Sequence, residues 1–287
     1  MQETKTIFVT GATGNQGGAV ARNLIRNNFK VKCLTRHPNS VHAHQLEKLD
    51  ALVVHGDLDK PHTFSDHLKD VDGIFSVQTF VHGIKKEIRK GTDLADLAKA
   101  NNIKHFLYSS VAGADLHTGI PHWESKLKIE NHLKSTGIPY TIIRPASLFE
   151  NFLRPQVKSR LLKGKLVSPV GKNILQQFIS ADDIGKMSAE IFTNPNKHIG
   201  KTITLAAEEM NLVQAAAIFS EAMGKEIKYE QLPMFITRLV MGKNLYKMFK
   251  WVNENNAVFI KDFTAYKNDN PGLTSLREWI ATTFLKS

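Results

Sequence analysis

Cysteine is almost absent from the 287 residues of this chain: Cys33 stands alone, so an internal disulfide cannot form. Long hydrophobic runs are absent as well, since no uninterrupted apolar stretch approaches the roughly 18–20 residues that a membrane-spanning helix needs. The first five residues lead directly into an apolar strand and leave no room for a signal peptide. We therefore expect a reducing compartment, the cytoplasm, and no membrane partner.

Acidic residues are scarce relative to basic ones, with 27 Asp and Glu against 38 Lys and Arg and a net charge of +11. Such a balance is compatible with nucleic acid, a membrane surface or small anionic ligands. The basic residues are spread along the chain, and their densest group, 85–90, contains a glutamate. His42 and His44 lack a third ligand for zinc, so no metal is expected. Nucleic acid is not an expected partner, and that alternative rests on the net charge alone.

The first half of the chain alternates between strand and helix patterns. Apolar runs rich in β-branched residues predict strands at 6–10, 30–35, 51–55, 73–77, 105–109 and 140–143. Apolar residues at helical spacing predict helices between them, including one over about 122–135. This alternation indicates βαβ crossovers, and therefore an α/β fold with a doubly wound parallel sheet of the Rossmann type.

The alternation weakens after Pro145. Helical patterns recur at about 209–223, 233–252 and 273–285, and strand patterns recur near 176–179 and 201–206. We predict a dinucleotide-binding domain over 1–150 and a smaller α+β region over 151–287. The second region is expected to be partly interleaved with the first and to cover the carboxyl edge of the sheet.

A glycine-rich segment follows the first predicted strand and precedes the first predicted helix. Its glycines, Gly11, Gly14 and Gly17, stand three residues apart. In dinucleotide-binding folds one glycine allows a tight turn, one lets the backbone approach a pyrophosphate, and one lets helix and strand pack closely. The helix N-terminus then faces the pyrophosphate with free N–H groups. We predict a dinucleotide site here, and the alternative is a glycine-rich turn without a ligand.

The ends of the next strands bear on which dinucleotide is bound. NAD-binding folds place an acid after the second strand to bind the ribose 2′-hydroxyl, but this chain has Arg36 there. Its planar fork suits a 2′-phosphate, so NADP(H) is predicted; the alternative is a surface arginine. Asp57 either contacts the adenine amine or caps a helix near Pro61. Gln78 is predicted to lie along the cofactor.

A helix later in the chain carries the candidate catalytic residues. Short-chain reductases place Tyr and Lys four residues apart on one helix face, with a Ser upstream. This chain has His122 and Lys126 at that spacing, and Ser110 upstream. We predict that Lys126 contacts the cofactor and that His122, which titrates near neutrality, is a candidate general acid. The alternatives are a solvated lysine and a partly buried histidine without chemistry.

Together these segments resemble the NmrA-like family of atypical short-chain dehydrogenase/reductases. The resemblance is carried by residues 9–18, 34–36, 122–126, 144–152 and 179–185. It spans roughly residues 5 to 185 and implies an NAD(P)-binding Rossmann domain that takes NADP(H). It also implies a substrate cleft between that domain and the C-terminal region.

The resemblance implies a role for each matching residue. The pyrophosphate would be held by Gly11, Thr13, Gly14, Asn15, Gln16 and Gly17. Arg36 would hold the 2′-phosphate and Lys126 the nicotinamide ribose. Phe149 would lie near the nicotinamide, and with His122 and Asn151 it would contact the substrate.

Family members divide between two functions. Some reduce quinones, dyes or similar acceptors, and others sense the NADP(H) state as regulators without turnover. We predict an NADPH-dependent reductase that transfers hydride to a quinone- or dye-like acceptor, because the reduced acceptor can take its proton from water and needs no tyrosine. The alternative is a non-catalytic redox sensor that acts through a protein partner, which tolerates His122 in place of the tyrosine.

Overall fold

Within residues 4–287, which the structure describes, the strands form one large sheet and two small ones. In this computed structural model the strands are β1 (Thr6–Val9), β2 (Lys30–Thr35), β3 (Leu52–His55), β4 (Gly73–Ser76), β5 (His105–Ser109), β6 (Tyr140–Pro145), β7 (Ser147–Leu148), β8 (Lys165–Ser168), β9 (Gln176–Ile179), β10 (Thr202–Leu205), β11 (Glu208–Met210) and β12 (Lys228–Gln231). The large sheet has the order β10-β6-β5-β4-β1-β2-β3, and the small sheets are β11-β9-β7 and β12-β8.

Helices connect most of these strands. They are α1 (Asn15–Arg26), α2 (Val41–Glu47), α3 (Ile84–Ala100), α4 (Pro121–Ser135), α5 (Pro155–Leu162), α6 (Ala181–Thr193), α7 (Pro195–His198), α8 (Leu212–Met223), α9 (Met234–Asn255), α10 (Phe263–Asp269) and α11 (Leu276–Thr282). Within the described part of the chain, none of them combines the length and the apolar character needed to cross a bilayer.

The large sheet has the strand order of a doubly wound fold. β1 pairs in parallel with β2 and β4, β2 with β3, β4 with β5, and β5 with β6. The order reverses between β1 and β4, and ligands of such sheets bind outside the carboxyl ends of the strands at this point. The predicted α/β class is therefore confirmed. β10 adds a seventh strand to the six that the first half of the chain predicts.

The chain divides into two compact units. The first consists of residues 4–117, 121–144 and 181–203, and the second of 118–120, 145–180 and 204–287. The chain thus leaves the first unit after Arg144 and returns to it at Ala181. The returning segment supplies α6, α7 and the first two residues of β10.

Close packing against α1 holds α6 in the first unit. Asn23 Nδ2 on α1 donates to Asp182 Oδ1 on α6 at 2.9 Å. A Cβ on Gly185 would lie 2.6 Å from the carbonyl oxygen of Ala19, so a larger residue would push the helices apart. The segment 179–185, which carries part of the family resemblance, therefore has a packing role.

An apolar layer between the sheet and the helices α3 and α4 forms one part of the core of the first unit. Buried members from the helices include Leu94, Ala98, Ile129 and Leu133, which share one cluster with buried strand residues. A Cβ on Gly91 would lie only 2.7 Å from Ile129 Cδ1, so glycine lets α3 and α4 approach closely. Polar side chains between these two helices are therefore enclosed.

Aromatic rings form the core of the second unit. Its buried aromatic residues are Phe149, Phe152, Phe178, Phe219, Trp279 and Phe284. Trp279 Nε1 donates to Glu150 Oε1 at 3.0 Å, which satisfies the buried indole N–H. The segment after Pro145, where the sequence patterns weaken, thus has its own hydrophobic core.

Candidate cofactor site

The glycine segment forms a tight turn between β1 and α1. Gly11 has a φ of +61°, in the left-handed region that favours glycine. The N–H of Gly14 donates to the carbonyl oxygen of Gly11 at 2.9 Å and closes the turn. A Cβ on Gly17 would lie 2.3 Å from the same oxygen, so the helix start can pack on the turn only with glycine there.

The N-terminus of α1 is open to a ligand. Gly14 is its N-cap, with no side-chain cap, and its first turn holds no acidic residue. Gly11, Gly14 and Asn15 are exposed, and Thr13 and Gln16 are half-buried. The first N–H groups of a helix lack partners within the helix, and here no side chain of the described residues caps them. An anion such as a pyrophosphate suits this end of the helix.

Side-chain hydrogen bonds tie the turn to neighbouring strand ends. Thr10 Oγ1 accepts from the N–H of Val77 at 3.0 Å, just after β4. Gln16 Oε1 accepts from Ser109 Oγ at 2.6 Å, at the end of β5. The turn, β4 and β5 are thus fixed together at the carboxyl ends of the strands. The side chain of Gln16 therefore has a structural role, in addition to its predicted role in holding a pyrophosphate.

Arg36 and Asp57 follow β2 and β3. Arg36 is exposed, and among residues 4–287 no carboxylate forms an ion pair with it. The carboxylate of Asp57 accepts from the N–H of Asp59 at 3.0 Å. The short 3₁₀ turn Pro61–Thr63 follows Lys60 and has no side-chain cap. The capping alternative for Asp57 is therefore wrong, and its adenine contact stays a prediction.

Lys126 is buried and held by two oxygen atoms. Its Nζ donates to the backbone carbonyl of Gln78 at 2.8 Å and pairs with Glu87 Oε1 at 3.1 Å. Ser125 Oγ donates to the other carboxylate oxygen, Glu87 Oε2, at 2.5 Å. Lys126 is 8% exposed and Glu87 is fully buried. The solvated-lysine alternative is therefore wrong, and one N–H of the ammonium is left for a further acceptor.

Gln78 supplies an unsatisfied acceptor beside this lysine. Its Nε2 donates to Ser76 Oγ at 2.8 Å. Its Oε1 is buried and has no hydrogen-bond partner among the described residues. Buried acceptors without partners are costly, and a ribose hydroxyl or carboxamide N–H would satisfy this one. The residues around the turn thus fit a dinucleotide by charge, by backbone donors and by this open acceptor.

His122 and Ser110 lie in different surroundings. His122, one helical turn before Lys126 on α4, is 8% exposed and stacks on Phe80 with a centroid separation of 4.5 Å. Ser110 Oγ donates to Glu130 Oε1 at 2.5 Å. The structure therefore brings Ser110 to a buried carboxylate, and a catalytic role for either residue stays a prediction.

Two buried carboxylates, Glu87 and Glu130, are absent from the sequence-based set of site residues. Arg144 binds Glu130 through Nε at 3.0 Å and through Nη2 at 2.6 Å. Burial and both carboxylates raise the pKa of Tyr108, under the Lys126 ammonium, well above its ordinary value. A sequence signal exists for Glu87, because it stands on the buried face of α3 with Leu94 and Ala98.

Phe149 and Asn151 lie in the second unit. Phe149 is fully buried and stacks on Phe178 with a centroid separation of 6.0 Å. Asn151 is half-buried in the 3₁₀ turn Phe149–Leu153, and its carbonyl oxygen accepts from the N–H of Arg154 at 3.3 Å. The side chain of Phe149 belongs to the aromatic core of the second unit. Its contact with a nicotinamide stays a prediction.

Comparison with models of protein families shows which family this chain belongs to. The model of the NmrA-like family matches residues 3–280. The chain belongs to the NmrA-like family. It is 29% identical over 256 residues to an NmrA-like family domain-containing protein of Dictyostelium discoideum, a match covering 84% of this chain and 83% of the relative. It is 26% identical over 246 residues to the NAD(P)H azoreductase of Xenophilus azovorans, covering 83% of each.

Solved structures of NmrA, a dye reductase and a quinone oxidoreductase share the fold. NmrA, a negative transcriptional regulator solved in complex with NADP, has a TM-score of 0.80 at 22% identity, over 99% of this chain and 97% of that one. Citrobacter sp. triphenylmethane reductase, complexed with NADP(H), has a TM-score of 0.79 at 21% identity, over 96% and 99%. Quinone oxidoreductase QOR2 of Escherichia coli, complexed with NADPH, has a TM-score of 0.79 at 22% identity, over 97% of this chain and 99% of that one. NmrA has also been solved with NAD.

Proposed function

We propose that this NmrA-like protein binds NADP(H) and reduces a quinone- or dye-like acceptor. One observation carries the proposal: the uncapped N-terminus of α1 stands at a strand switch point, and Arg36, without a carboxylate partner among residues 4–287, follows the neighbouring strand β2. The helix end suits a pyrophosphate and the guanidinium suits a 2′-phosphate. Related proteins named as reductases bind NADP(H) or NADPH, which supports the same assignment.

Lys126 is the residue that would hold the nicotinamide ribose. Its Nζ is fixed by the carbonyl of Gln78 and the carboxylate of Glu87, so its remaining N–H points in a set direction. Gln78 Oε1 would accept from a hydroxyl or amide of the same ligand. A side chain locked by such partners orients a ligand at little cost in side-chain entropy.

When bound, NADPH would supply a hydride, that is, a hydrogen with its electron pair, to the acceptor. A quinone that gains a hydride becomes an anion, and one proton from water completes the hydroquinone. The chain itself therefore needs no acid at position 122. His122, stacked on Phe80, would form part of an aromatic surface for a flat acceptor.

The non-catalytic sensor is a second candidate, and a specific observation favours it. Ser110, which would assist a catalytic acid, is bound to Glu130 instead. NmrA itself is described as a negative transcriptional regulator. A sensor would bind NADP(H) without consuming it and would act through a protein partner.

A test with an acceptor panel separates the two candidates. NADPH oxidation is followed at its absorbance maximum with quinones, triphenylmethane dyes and azo dyes. The reductase predicts oxidation that needs both protein and acceptor. Lys126→Met is expected to lower kcat/KM at least about tenfold through the lost hydrogen bond to the ribose. Lys128→Met, an exposed lysine on the same helix, is the matched control and should match the wild type. NADPH that binds but stays unoxidised with every acceptor would favour the sensor.

A further inference from the structure

The start of α9 exposes large apolar side chains. Phe235, Leu239 and Val240 are 70%, 82% and 72% exposed. A monomeric protein rarely leaves several large apolar side chains together in water unless they contact something. Gly242 has non-helical φ and ψ values of 77° and 171°, so a kink separates this first part of α9 from the rest.

Helical spacing places these three side chains together. Phe235 and Leu239 are four residues apart and therefore lie on one face, with Val240 beside them. On the other side Thr237 is fully buried, and its hydroxyl donates to the carbonyl oxygen of Pro233 at 3.2 Å. The apolar face thus lies opposite the buried side of this part of α9.

A contact joins the two parts of α9 across the kink, because Asn253 Nδ2 lies 3.6 Å from Met234 Sδ. Val252 is buried in the aromatic core of the second unit. Asn253 donates to the carbonyl oxygen of Pro169 at 3.1 Å and accepts from the N–H of Gly171 at 2.6 Å. Asn253 thus links the start of α9, which carries the apolar face, to residues 169–171 of the second unit.

The charged side chains within residues 231–253 all have one sign. Residues 231–253 contain four cationic side chains and no Asp or Glu. The four are Arg238, Lys243, Lys247 and Lys250, and all are exposed. Lys250 pairs with Glu254 at 3.8 Å, whereas Lys243 and Lys247 have no ion pair with any residue of 4–287. Exposed apolar side chains beside unpaired cations suit the surface of an anionic bilayer, where lipid phosphates attract the cations.

We propose that residues 234–247 form a membrane-surface anchor that lies in the headgroup region of a bilayer rich in anionic phospholipid. Phe235, Leu239 and Val240 would enter the boundary between headgroups and acyl chains, and Lys243 and Lys247 would pair with lipid phosphates. A symmetric second copy suits this surface less well, because a two-fold axis would bring like charges together.

The lack of an apolar run long enough to span a bilayer excludes a transmembrane helix, but it does not exclude a helix that lies on the membrane surface. A helix that lies in the interface needs an apolar face and cations, and no spanning length. Binding of this anchor to a membrane does not require the cofactor, so it can be tested without NADPH. Its failure would leave the proposed function untouched.

A site-specific dye tests insertion directly. Cys33 is buried and burial raises the pKa of its thiol to about 12, so a thiol-reactive dye should label an introduced cysteine selectively. Leu239→Cys carries the environment-sensitive dye nitrobenzoxadiazole, and Val41→Cys, also on an exposed helix position, is the matched control. With vesicles of phosphatidylglycerol and phosphatidylcholine, the dye at 239 should shift to the blue and brighten, and the dye at 41 should not.

Vesicle sedimentation with the unlabelled chain measures the affinity. The triple variant Phe235→Ser, Leu239→Ser, Val240→Ser should lower partitioning at least about tenfold. Lys243→Ala and Lys247→Ala should each lower it about fivefold, and added salt should do the same. The control variant Val41→Ser, Leu52→Ser, Leu162→Ser, at other exposed apolar positions, should bind as the wild type does.

Three results would overturn the anchor. The first is no binding to anionic vesicles at any ionic strength. The second is equal partitioning of the two triple variants. The third is self-association of the wild type that the triple variant on α9 abolishes, without vesicle binding, which would make this face a contact between copies. Thermal unfolding of each variant confirms that a folded protein was tested.

Discussion

Glu87 helps to fix the position of Lys126, together with the backbone carbonyl of Gln78. Its carboxylate is fully buried and pairs with Lys126 Nζ at 3.1 Å. A buried ion pair contributes modest net stability, but removal of one partner leaves an uncompensated buried charge. Glu87 is therefore a positioning residue that would act on the cofactor through Lys126.

Substitutions of Glu87 distinguish its effect on the position of Lys126 from its effect on stability. Glu87→Ala should lower the free energy of unfolding by about 3–5 kcal/mol, because the Lys126 ammonium stays buried without its partner. Glu87→Gln keeps a polar group for Ser125 and should cost less, yet it should still weaken NADPH binding. Urea unfolding and NADPH fluorescence titration measure the two effects.

The control lies on the same helix. Asp96 is exposed and its carboxylate pairs with His132 at 2.7 Å. Asp96→Asn should change the free energy of unfolding by no more than about 1 kcal/mol, as is usual for surface pairs. Equal effects of Glu87→Gln and Asp96→Asn on NADPH affinity would show that Glu87 does not position Lys126.

His105 makes the stability depend on pH. Burial, with the charges of His198 and Lys5, lowers its pKa from 6.5 to about 4. The unfolded chain therefore takes up a proton below about pH 6.5 that the folded chain refuses until about pH 4. Stability is fully present above this window and is lost as the pH falls through it.

The expected loss between pH 7.5 and pH 5.0 is about 2 kcal/mol from this histidine alone. Carboxylates with lowered pKa values, such as Asp59 and Asp182, titrate below this range and contribute little there. Urea unfolding of the wild type and of His105→Gln at the two pH values measures this loss of unfolding free energy. An equal loss in both proteins would assign the pH dependence to other groups.

At the level of residues, the sequence predicts what lies close together along the chain. Gly11, Gly14 and Gly17 stand directly after a strand, so their turn is recognisable from spacing. Lys126 was recognisable from its distance to His122. The partners of Lys126 were not, because Glu87 and Gln78 come from other elements and only the packing of α3 against α4 brings them together.

The turn between β1 and α1 is the element with the strictest steric demand. A Cβ on Gly17 would lie 2.3 Å from a carbonyl oxygen of the backbone, which cannot rotate away as a side chain would. Gly17→Ala should therefore lower the free energy of unfolding by about 1–3 kcal/mol and abolish NADPH binding. Unfolding in urea and the NADPH titration measure both.

Gly272 provides the matched control for this element. A Cβ there would meet no atom within 4 Å, and its φ is not in the left-handed region. Gly272→Ala should leave stability and NADPH affinity unchanged. If Gly17→Ala behaves in the same way, the close packing of helix and turn has no part in the site.

The strands of the first half were predictable, and several later elements were not. All six strands from β1 to β6 lie where apolar runs predict them. β7 and β11 have only two and three residues, too few for a pattern. The pattern at 233–252 predicts one helix, and α9 instead kinks at Gly242, because glycine tolerates the positive φ there.

At the scale of the whole molecule, the interleaving of the two units depends on tertiary packing. Residues 181–203 return to the first unit because α6 fits against α1 through Gly185 and Asn23. Nothing in the local pattern of 181–203 indicates which unit it joins. The returning segment ends within β10, the seventh strand, which lies beside β6 in the large sheet.

The net charge of +11 has two candidate uses on this molecule. Arg36 would meet a phosphate of the cofactor, and the cations of α9 would meet phosphates of a lipid surface. These uses involve different residues, so substitutions at one site should leave the other unchanged. Vesicle partitioning of Arg36→Ala should therefore equal that of the wild type, and a large loss would show that the two sites are coupled.

The most direct test of the account is a fluorescence titration with NADPH and NADH, made on the wild type and on Arg36→Ala. Hydrogen bonds to charged groups are worth enough that the variant should bind NADPH at least about tenfold more weakly. Its affinity for NADH, which lacks the 2′-phosphate, should stay unchanged. Equal losses for both dinucleotides would contradict the role of Arg36, and no binding of NADPH to the wild type would contradict the cofactor site itself.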